Sequence, residues 1–277
     1  MHKLFIEDLL MQHSSSTAYF DKRRIEKFTD ALFHFLFQLE DKKYDSTEAL
    51  QVRLSSLQHE LTSVLFNINN DIEKSTVKAQ EFFTTLPSIY FTLKRDAQAI
   101  LENDPAATCL QEVYIAYPGF YAIAIYRLAH QLQLQEVKLL PRIWTEYAHN
   151  KTGIDIHPAA KIGANFCIDH GTGIVIGETC VIGNNVKIYQ GVTLGAISVS
   201  KERANTKRHP EIQDNVVIYS GATILGGETI IGHDTIIGGN VWLTASVEPH
   251  SIIYSKTKSY KKNQLDDSTN EPINFII

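Results

Sequence analysis

Apolar and polar positions follow two different grammars along this chain of 277 residues. From about residue 19 to about residue 150 the apolar residues return every three or four positions, as in Ile25, Phe28, Leu32, Phe35, Leu36 and Leu39, with Lys, Glu and Asp between them. That spacing lays an apolar stripe along one side of a helix. A second run, Leu50, Leu54, Leu57, Leu61, Val64, Leu65 and Ile68, follows Asp45-Ser46-Thr47-Glu48, whose side chains suit the capping of a first turn. A third helical stretch, over about 76–101, meets Pro87; proline removes a backbone donor and clashes with the preceding turn, so an interruption or kink is predicted there. Two more helices are predicted over 120–133 and 139–149.

After Gly153 the beat changes to six. Aliphatic residues stand at Ile156, Ile162, Ile168 and Ile174, again at Ile176, Ile182, Ile188 and Leu194, and again at Ile212, Ile218, Ile224, Ile230 and Ile236. Neither a 3.6-residue helix nor a two-residue strand alternation produces this period. Each hexapeptide supplying one short strand and one corner gives a parallel β-helix, with three hexapeptides per triangular coil and the aliphatics stacked inside. The fold class is therefore α+β: an all-helical N-terminal domain over 1–152, a β-helix over 153–250, and a tail over 251–277. The segment 196–211, rich in Lys, Arg, Ser and Asn, breaks the beat and is expected to leave the β-helix as an excursion.

Composition narrows the picture only a little. Hydrophobic residues at 44% and charged residues at 21% are ordinary for a globular protein. A net charge of -5, without a long single-sign run, gives no footprint for nucleic acid, and the cluster Lys256, Lys258, Lys261 and Lys262 is too short to change that. The longest apolar stretch, 114–126, is too short to span a bilayer and contains Pro118 and Gly119. Glu7 and Asp8 occupy the place where a signal peptide needs apolar residues. Cys109, Cys167 and Cys180 match no metal spacing and are expected to be reduced and mostly packed. A cytoplasmic protein with no metal and no membrane contact is the expectation.

No G-x-S-x-G, G-x-x-x-x-G-K or H-E-x-x-H occurs, which leaves histidine and aspartate as the candidate chemistry. They gather in Asp155-Ile156-His157-Pro158, Asp169-His170-Gly171-Thr172-Gly173, Lys207-Arg208-His209-Pro210 and Asn103-Asp104-Pro105-Ala106. A coil of about eighteen residues places Asp155 and His170 on neighbouring coils, close enough for a carboxylate to meet an imidazole. Such a pair suits a hydroxyl acceptor, because the neutral imidazole takes the proton as the oxygen attacks. The plainer readings are that His157 and His209 sit in extended turns before proline, and that Asp104 caps a helix with Pro105 at its first position.

The segments 155–163, 168–179 and 190–195, together with Arg208-His209-Pro210, closely resemble serine acetyltransferases in order and spacing. Asp104-Pro105-Ala106, Gly119-Phe120 and Tyr126-Arg127 resemble that family's helical domain, so the resemblance covers roughly residues 90–245. It implies a left-handed β-helix and the transfer of acetyl from acetyl-CoA to the hydroxyl of L-serine. It implies His170 as general base, Asp155 as its carboxylate partner, Asp104 and Asp169 on the serine amino group, Arg208 on its carboxylate, and His209 in the same pocket, binding serine or assisting proton transfer. Acetyl-CoA, the co-substrate, maps onto Gly195, Ala196, Ser220 and Gly238. The resemblance further implies a homotrimer or dimer of trimers with sites between chains, L-cysteine as feedback inhibitor, and docking of the O-acetylserine sulfhydrylase on a tail ending in Ile277. Two departures lie near the cofactor: a longer, glycine-poor loop over 196–207, and Ile252-Ile253-Tyr254-Ser255-Lys256 in place of small residues.

Three alternatives stand beside this expectation. A hexapeptide acyltransferase for homoserine or an amino sugar would share the fold. A zinc-dependent hydratase of the carbonic anhydrase type needs converging histidines, and the β-helix lacks an H-x-x-x-x-H pair. A non-catalytic scaffold would act on the sulfhydrylase through Ile277 alone.

Overall fold

The structure, a computed structural model, describes residues 2–15, 21–197 and 206–255. Among the described residues seven helices precede fourteen short strands: α1 (His2–Ser15), α2 (Lys22–Leu36), α3 (Thr47–Asn69), α4 (Ile72–Asn103), α5 (Leu110–Ala116), α6 (Pro118–Leu134) and α7 (Leu140–Thr152), then β1 (Asp155–Ile156), β2 (Lys161–Ile162), β3 (Cys167–Asp169), β4 (Val175–Ile176), β5 (Val181–Ile182), β6 (Lys187–Tyr189), β7 (Thr193–Gly195), β8 (Glu211–Ile212), β9 (Val217–Ile218), β10 (Thr223–Leu225), β11 (Ile230–Ile231), β12 (Ile236–Ile237), β13 (Trp242–Leu243) and β14 (Ile252–Ile253). The predicted stripes face inward. Ile25, Phe28 and Leu32 of α2 and Leu57, Leu61, Val64 and Leu65 of α3 are buried, and Ser46 caps α3 by accepting the Ala49 N–H at 3.1 Å.

Two helices escaped the sequence pattern. The apolar residues of α1 form no single stripe, and Leu4, Phe5, Leu10 and Met11 are exposed. At seven residues, α5 is too short to display a period. Of the predicted interruption or kink at Pro87, the interruption does not occur, since α4 runs unbroken through it. Phe82, Phe83 and Leu86 are buried around the proline, and this packing outweighs a local cost of roughly 3 kcal/mol. Asp104 is no helix N-cap either. It follows the end of α4 and closes a turn, accepting the Ala106 N–H at 2.8 Å while the Ala107 N–H bonds its carbonyl at 3.0 Å.

The strands form three parallel sheets, the faces of a left-handed triangular β-helix. Face A is β1, β4, β7, β10 and β13; face B is β2, β5, β8 and β11; face C is β3, β6, β9, β12 and β14. Ile156, Ile176, Leu194 and Ile224 stack inside face A, as Ile168, Ile188, Ile218 and Ile237 do inside face C. The edge between faces B and C carries a ladder of side-chain amides: Asn165 donates to Asn185 at 2.6 Å, Asn185 to Asn215 at 2.9 Å, and Asn215 to Asp234 at 3.0 Å. Asn165, Asn185, Asn215 and Asp234 all hold left-handed backbone there, which asparagine and aspartate tolerate.

Coil length is not the uniform eighteen expected. Successive turns of the ladder are 20, 30 and 19 residues apart. The 30-residue step contains the excursion, whose residues 198–205 lie outside the described set. The last residues of the β-helix, Ile252 and Ile253, pair with Ile236 and Ile237, so the segment that departs from the resemblance is a strand of face C running beyond residue 250.

One buried ion pair fastens the helical half to the first coil. Arg127 of α6 bonds Asp96 of α4 through Nε at 2.5 Å and Nη2 at 2.9 Å, and donates to the carbonyls of Ile162 at 3.1 Å and Gly163 at 2.6 Å. Asp96 also accepts the Phe166 N–H at 2.9 Å. Nearby, the Tyr126 hydroxyl donates to the Ala160 carbonyl at 2.6 Å, and His130 Nδ1 meets the Pro158 carbonyl at 2.7 Å. Among the described residues no helix is long and apolar enough to cross a membrane. Cys167 and Cys180 are packed, with burial pushing both thiols up to about 12, whereas Cys109 is exposed. Replacing Arg127 by Met strands a buried carboxylate, and the urea midpoint is expected to fall by an amount equivalent to about 3–5 kcal/mol.

Candidate active site

The C→A edge, where the chain passes from face C to face A, is widened at its first crossing. Eight residues separate Ile168 from Ile176, where six separate their strand partners Ile188 and Leu194. The extra length is the corner Asp169-His170-Gly171-Thr172-Gly173. His170 sits there with φ 58°, a left-handed conformation uncommon outside glycine, and its side chain is 72% exposed. Gly171, at φ +96°, has no room for a side chain: a Cβ would lie 2.5 Å from Ile154 Cδ1 and 2.8 Å from Ile168 Cγ2. The corner thus closes tightly on the core beneath it and holds the imidazole out in solvent.

A cluster of polar groups gathers at this corner. Asp169 lies 3.9 Å from His170 Nε2 and 3.2 Å from Lys187 Nζ, and Lys187 also donates to the Asn103 carbonyl at 2.8 Å. Asp104 accepts from the Tyr117 hydroxyl at 2.6 Å. That bond and the Ala106 N–H hold the Asp104 carboxyl below its ordinary value, with Lys187 and His170 contributing. The same bond pushes the Tyr117 phenol up to about 12. Burial works against the Lys187 ammonium, but Tyr189 and Asp169 outweigh it and raise its pKa. The helical half and the β-helix therefore supply one carboxylate each, beside a single exposed imidazole.

A second cluster occupies the A→B edge. Arg208 is ion-paired with Glu178. The Thr179 hydroxyl accepts the backbone N–H groups of Arg208 at 2.9 Å and of His209 at 3.1 Å. Thr179 also presents its own N–H to His209 Nδ1 at 3.1 Å, with its hydroxyl 2.9 Å from the same nitrogen. Nδ1 is therefore an acceptor, and the His209 proton resides on Nε2. Burial first, then Arg208, lowers the His209 pKa to about 4. The ring lies over Gly177, where a Cβ would come within 2.0 Å of His209 Cδ2, so position 177 admits only glycine under this imidazole. His157 shares the edge; its Nδ1 accepts the Ala159 N–H at 3.1 Å, and burial lowers its pKa.

The two clusters do not meet within one chain. Asp155 is registered with Val175 on face A, and its ion-pair partner is Arg142 at 3.9 Å, not His170. The widened corner makes this coil longer than the eighteen residues from which their proximity was expected. Asp104, Asp169 and His170 are brought together on one edge; Arg208 and His209 on another, with Asp155 on the face between. Glu146, His149 and Asp155 could converge on a cation, but Arg142 already pairs with both Glu146 and Asp155.

The residues mapped to the co-substrate divide in the same way. Ser220 and Gly238 lie along the C→A edge below His170, in register through Gly191 N–H to Thr172, Gly221 N–H to Gln190 and Asn240 N–H to Ser220. Gly195 and Ala196 lie at the A→B edge. Space is tight at both glycines, since a Cβ would stand 2.9 Å from Leu225 Cδ2 at 195 and 3.0 Å from the Ile253 carbonyl at 238. Tyr117, Lys187, Glu178 and Thr179 were not singled out in the sequence for roles of their own, because only folding brings them to these edges. The tail with Ile277 and the lysines at 256–262 lie outside the described residues.

No protein-family model matches the chain. Over 179 residues it is 52% identical to a plasmid serine acetyltransferase of Synechococcus elongatus, a match covering 63% of this chain and 56% of that protein. Over 170 residues it is 45% identical to a serine acetyltransferase of Staphylococcus xylosus, covering 61% of this chain and 71% of that one. The chain thus spans a little over half the length of the first of these relatives. Among solved structures, serine acetyltransferase isoform 3 of Entamoeba histolytica in complex with cysteine superimposes with a TM-score of 0.75 at 32% identity, covering 90% of this chain and 86% of that one. The Neisseria gonorrhoeae serine acetyltransferase in complex with serine gives 0.60 at 29% identity, covering 87% and 97%. A shared helical half, a shared β-helix and this level of identity place the chain in the serine acetyltransferase family.

Proposed function

We propose that this protein transfers the acetyl group of acetyl-CoA to the hydroxyl of L-serine, in a site completed by a second copy of the chain. The observation that carries the reading is the exposed His170 imidazole on its widened corner, flanked by the carboxylates of Asp104 and Asp169. An amino acid acceptor needs anionic groups for its ammonium and a cation for its carboxylate. The first cluster has the carboxylates and the second has Arg208, on a different edge of the same prism. A closed trimer sets the A→B edge of one chain against the C→A edge of the next, so that Arg208, His209 and Asp155 of one face Asp104, Asp169 and His170 of its neighbour.

His170 takes the hydroxyl proton as the serine oxygen bonds to the thioester carbonyl carbon. The tetrahedral adduct then expels the CoA sulfur, which receives that proton from the imidazolium. Asp155 of the neighbouring chain orients the imidazole and stabilises its charged form. His209, neutral and protonated on Nε2, acts as a hydrogen-bond donor to the bound acceptor; a group with a pKa near 4 is too weak a base to compete with His170. The thioester and pantetheine arm follow the C→A edge past Ser220 to Gly238, with Gly195 and Ala196 from the neighbour. Cysteine differs from serine in one atom of the side chain, and the same carboxylates and guanidinium receive its ammonium and carboxylate; it therefore competes as an inhibitor. The carboxylate–guanidinium pair favours an amino acid over an amino sugar.

Two measurements check this reading. Thiol release from acetyl-CoA is expected to depend on L-serine and to fall by roughly a hundredfold to ten-thousandfold in His170→Ala; equal release with L-homoserine, or no serine-dependent release, would sink it. Mixing His170→Ala chains with Arg208→Ala chains, each inactive alone, is expected to restore about a quarter of the wild-type rate in randomly assembled trimers, whereas a site contained in one chain gives no recovery.

The His209 geometry makes a separate prediction. Its depressed pKa means that the folded state holds the neutral ring while the unfolded chain takes up a proton below about 6.5. His209 thus stabilises the fold fully above that value and loses its contribution as the pH falls toward about 4. NMR titration of the imidazole is expected to show the Nε2–H tautomer across this window. Thr179→Val, which removes the hydroxyl, is expected to raise the pKa and to raise the KM for serine more than it lowers kcat.

A further inference from the structure

The B→C edge, remote in the coil from both clusters above, ends in two histidines and an aspartate that belong to successive turns. His233 and Asp234 precede β12 (Ile236–Ile237), and His250 precedes β14 (Ile252–Ile253). The His250 N–H bonds the His233 carbonyl at 2.9 Å, which stacks one turn on the other. Asp234 and His250 both adopt left-handed backbone, with φ 56° and 58°. The two imidazoles meet edge to face with centroids 4.8 Å apart. Nδ1 of His233 lies 2.7 Å, and Nδ1 of His250 3.8 Å, from the same carboxylate oxygen, Oδ2 of Asp234. One ligand atom from each of the three lies within 4.8 Å of the other two.

The other oxygen of Asp234 is committed. Oδ1 accepts from Asn215 at 3.0 Å, the last rung of the amide ladder, so the carboxylate is held from behind with Oδ2 turned toward the imidazoles. Two imidazoles and a carboxylate form the donor set of a borderline divalent cation, with a fourth position left for water. An amide that fixes a ligating carboxylate is the outer support such sites employ. The Glu146, His149 and Asp155 group lacks this vacancy in charge, because Arg142 pairs with both of its carboxylates.

We propose that His233, Asp234 and His250 bind a zinc-type divalent cation on the outside of the β-helix. On binding, Nδ1 of His233 releases to solvent the proton it shares with Asp234 and presents its lone pair to the metal. Side chains between 41% and 71% exposed leave room for the small adjustments that equal bond lengths need. The ion ties the turn before β14 to the turn before β12, and so fastens the final coil, the one whose step between stacked turns shortens to 16 residues. No spacing in the sequence announces the site, since its ligands meet only by coil stacking.

The test uses the full chain without an affinity tag, titrated with Co2+ for ligand-field absorption and with Zn2+ in a calorimeter. One saturable site per chain is expected, abolished in His250→Ala and in Asp234→Asn, weakened about tenfold to a hundredfold in Asn215→Ala, and unchanged in His149→Ala. Far-UV circular dichroism confirms that each variant folds. Zn2+ is further expected to raise the melting midpoint of the wild type and of His149→Ala but not of His250→Ala. Binding that survives His250→Ala, or that is lost in His149→Ala, overturns the proposal, as does the absence of saturable binding to the wild type.

Discussion

The Arg127 guanidinium, shared between Asp96 and the carbonyls of Ile162 and Gly163, is the constraint on which the rest of the molecule turns. A coil end exposes carbonyls that no further strand can satisfy, and a buried carboxylate needs a cation; one planar group with five donors answers both. Asp96 in turn receives the Phe166 N–H, so the first coil is held at two points. Because Asp104 follows directly on the helix that carries Asp96, fixing the one sets the other beside the first corner of the β-helix. The Lys187 bond to the Asn103 carbonyl secures that approach from the β-helix side.

Rigid coils make small departures from the repeat informative. Where the chain keeps to six residues, as from Ile188 to Leu194, the corner is a tight turn. The two additional residues between Ile168 and Ile176 make the corner that carries His170. On the opposite side of face A, the hydroxyl of Thr179 gathers the N–H groups of Arg208 and His209 just as the chain returns from its excursion. Two residues are thus delivered to a fixed position, because the chain at 208–209 is pinned to the coil before it. Gly177 completes the arrangement by leaving space for the ring.

The histidines of the two edges differ in their surroundings. His209 is buried beside Arg208 and stays neutral, with its proton on Nε2. His157 is likewise neutralised by burial. His170 stands in solvent with carboxylates nearby. Equal side chains thereby meet different surroundings, buried beside a guanidinium in one place and exposed beside carboxylates in another.

Both halves of the fold were legible in the sequence, because helix and β-helix announce themselves through periods of 3.6 and six that follow from backbone geometry alone. The residue types at the candidate site were legible through their resemblance to a family, and the structure gathers Asp104, Asp169 and His170 at one corner. What sequence spacing misjudged was distance and continuity. A uniform coil of eighteen residues put Asp155 within reach of His170, whereas the widened corner and the register with Val175 keep them apart in one chain. Pro87 was expected to interrupt or kink its helix, and α4 runs unbroken through it with Phe82, Phe83 and Leu86 buried around the proline. The tautomer of His209, the partners of Asp104 and the meeting of His233 with His250 were decided only in three dimensions. Local periodicity fixes which elements form, since it depends on neighbours along the chain; which side chains share an edge depends on the length of every turn between them, and that is settled by packing.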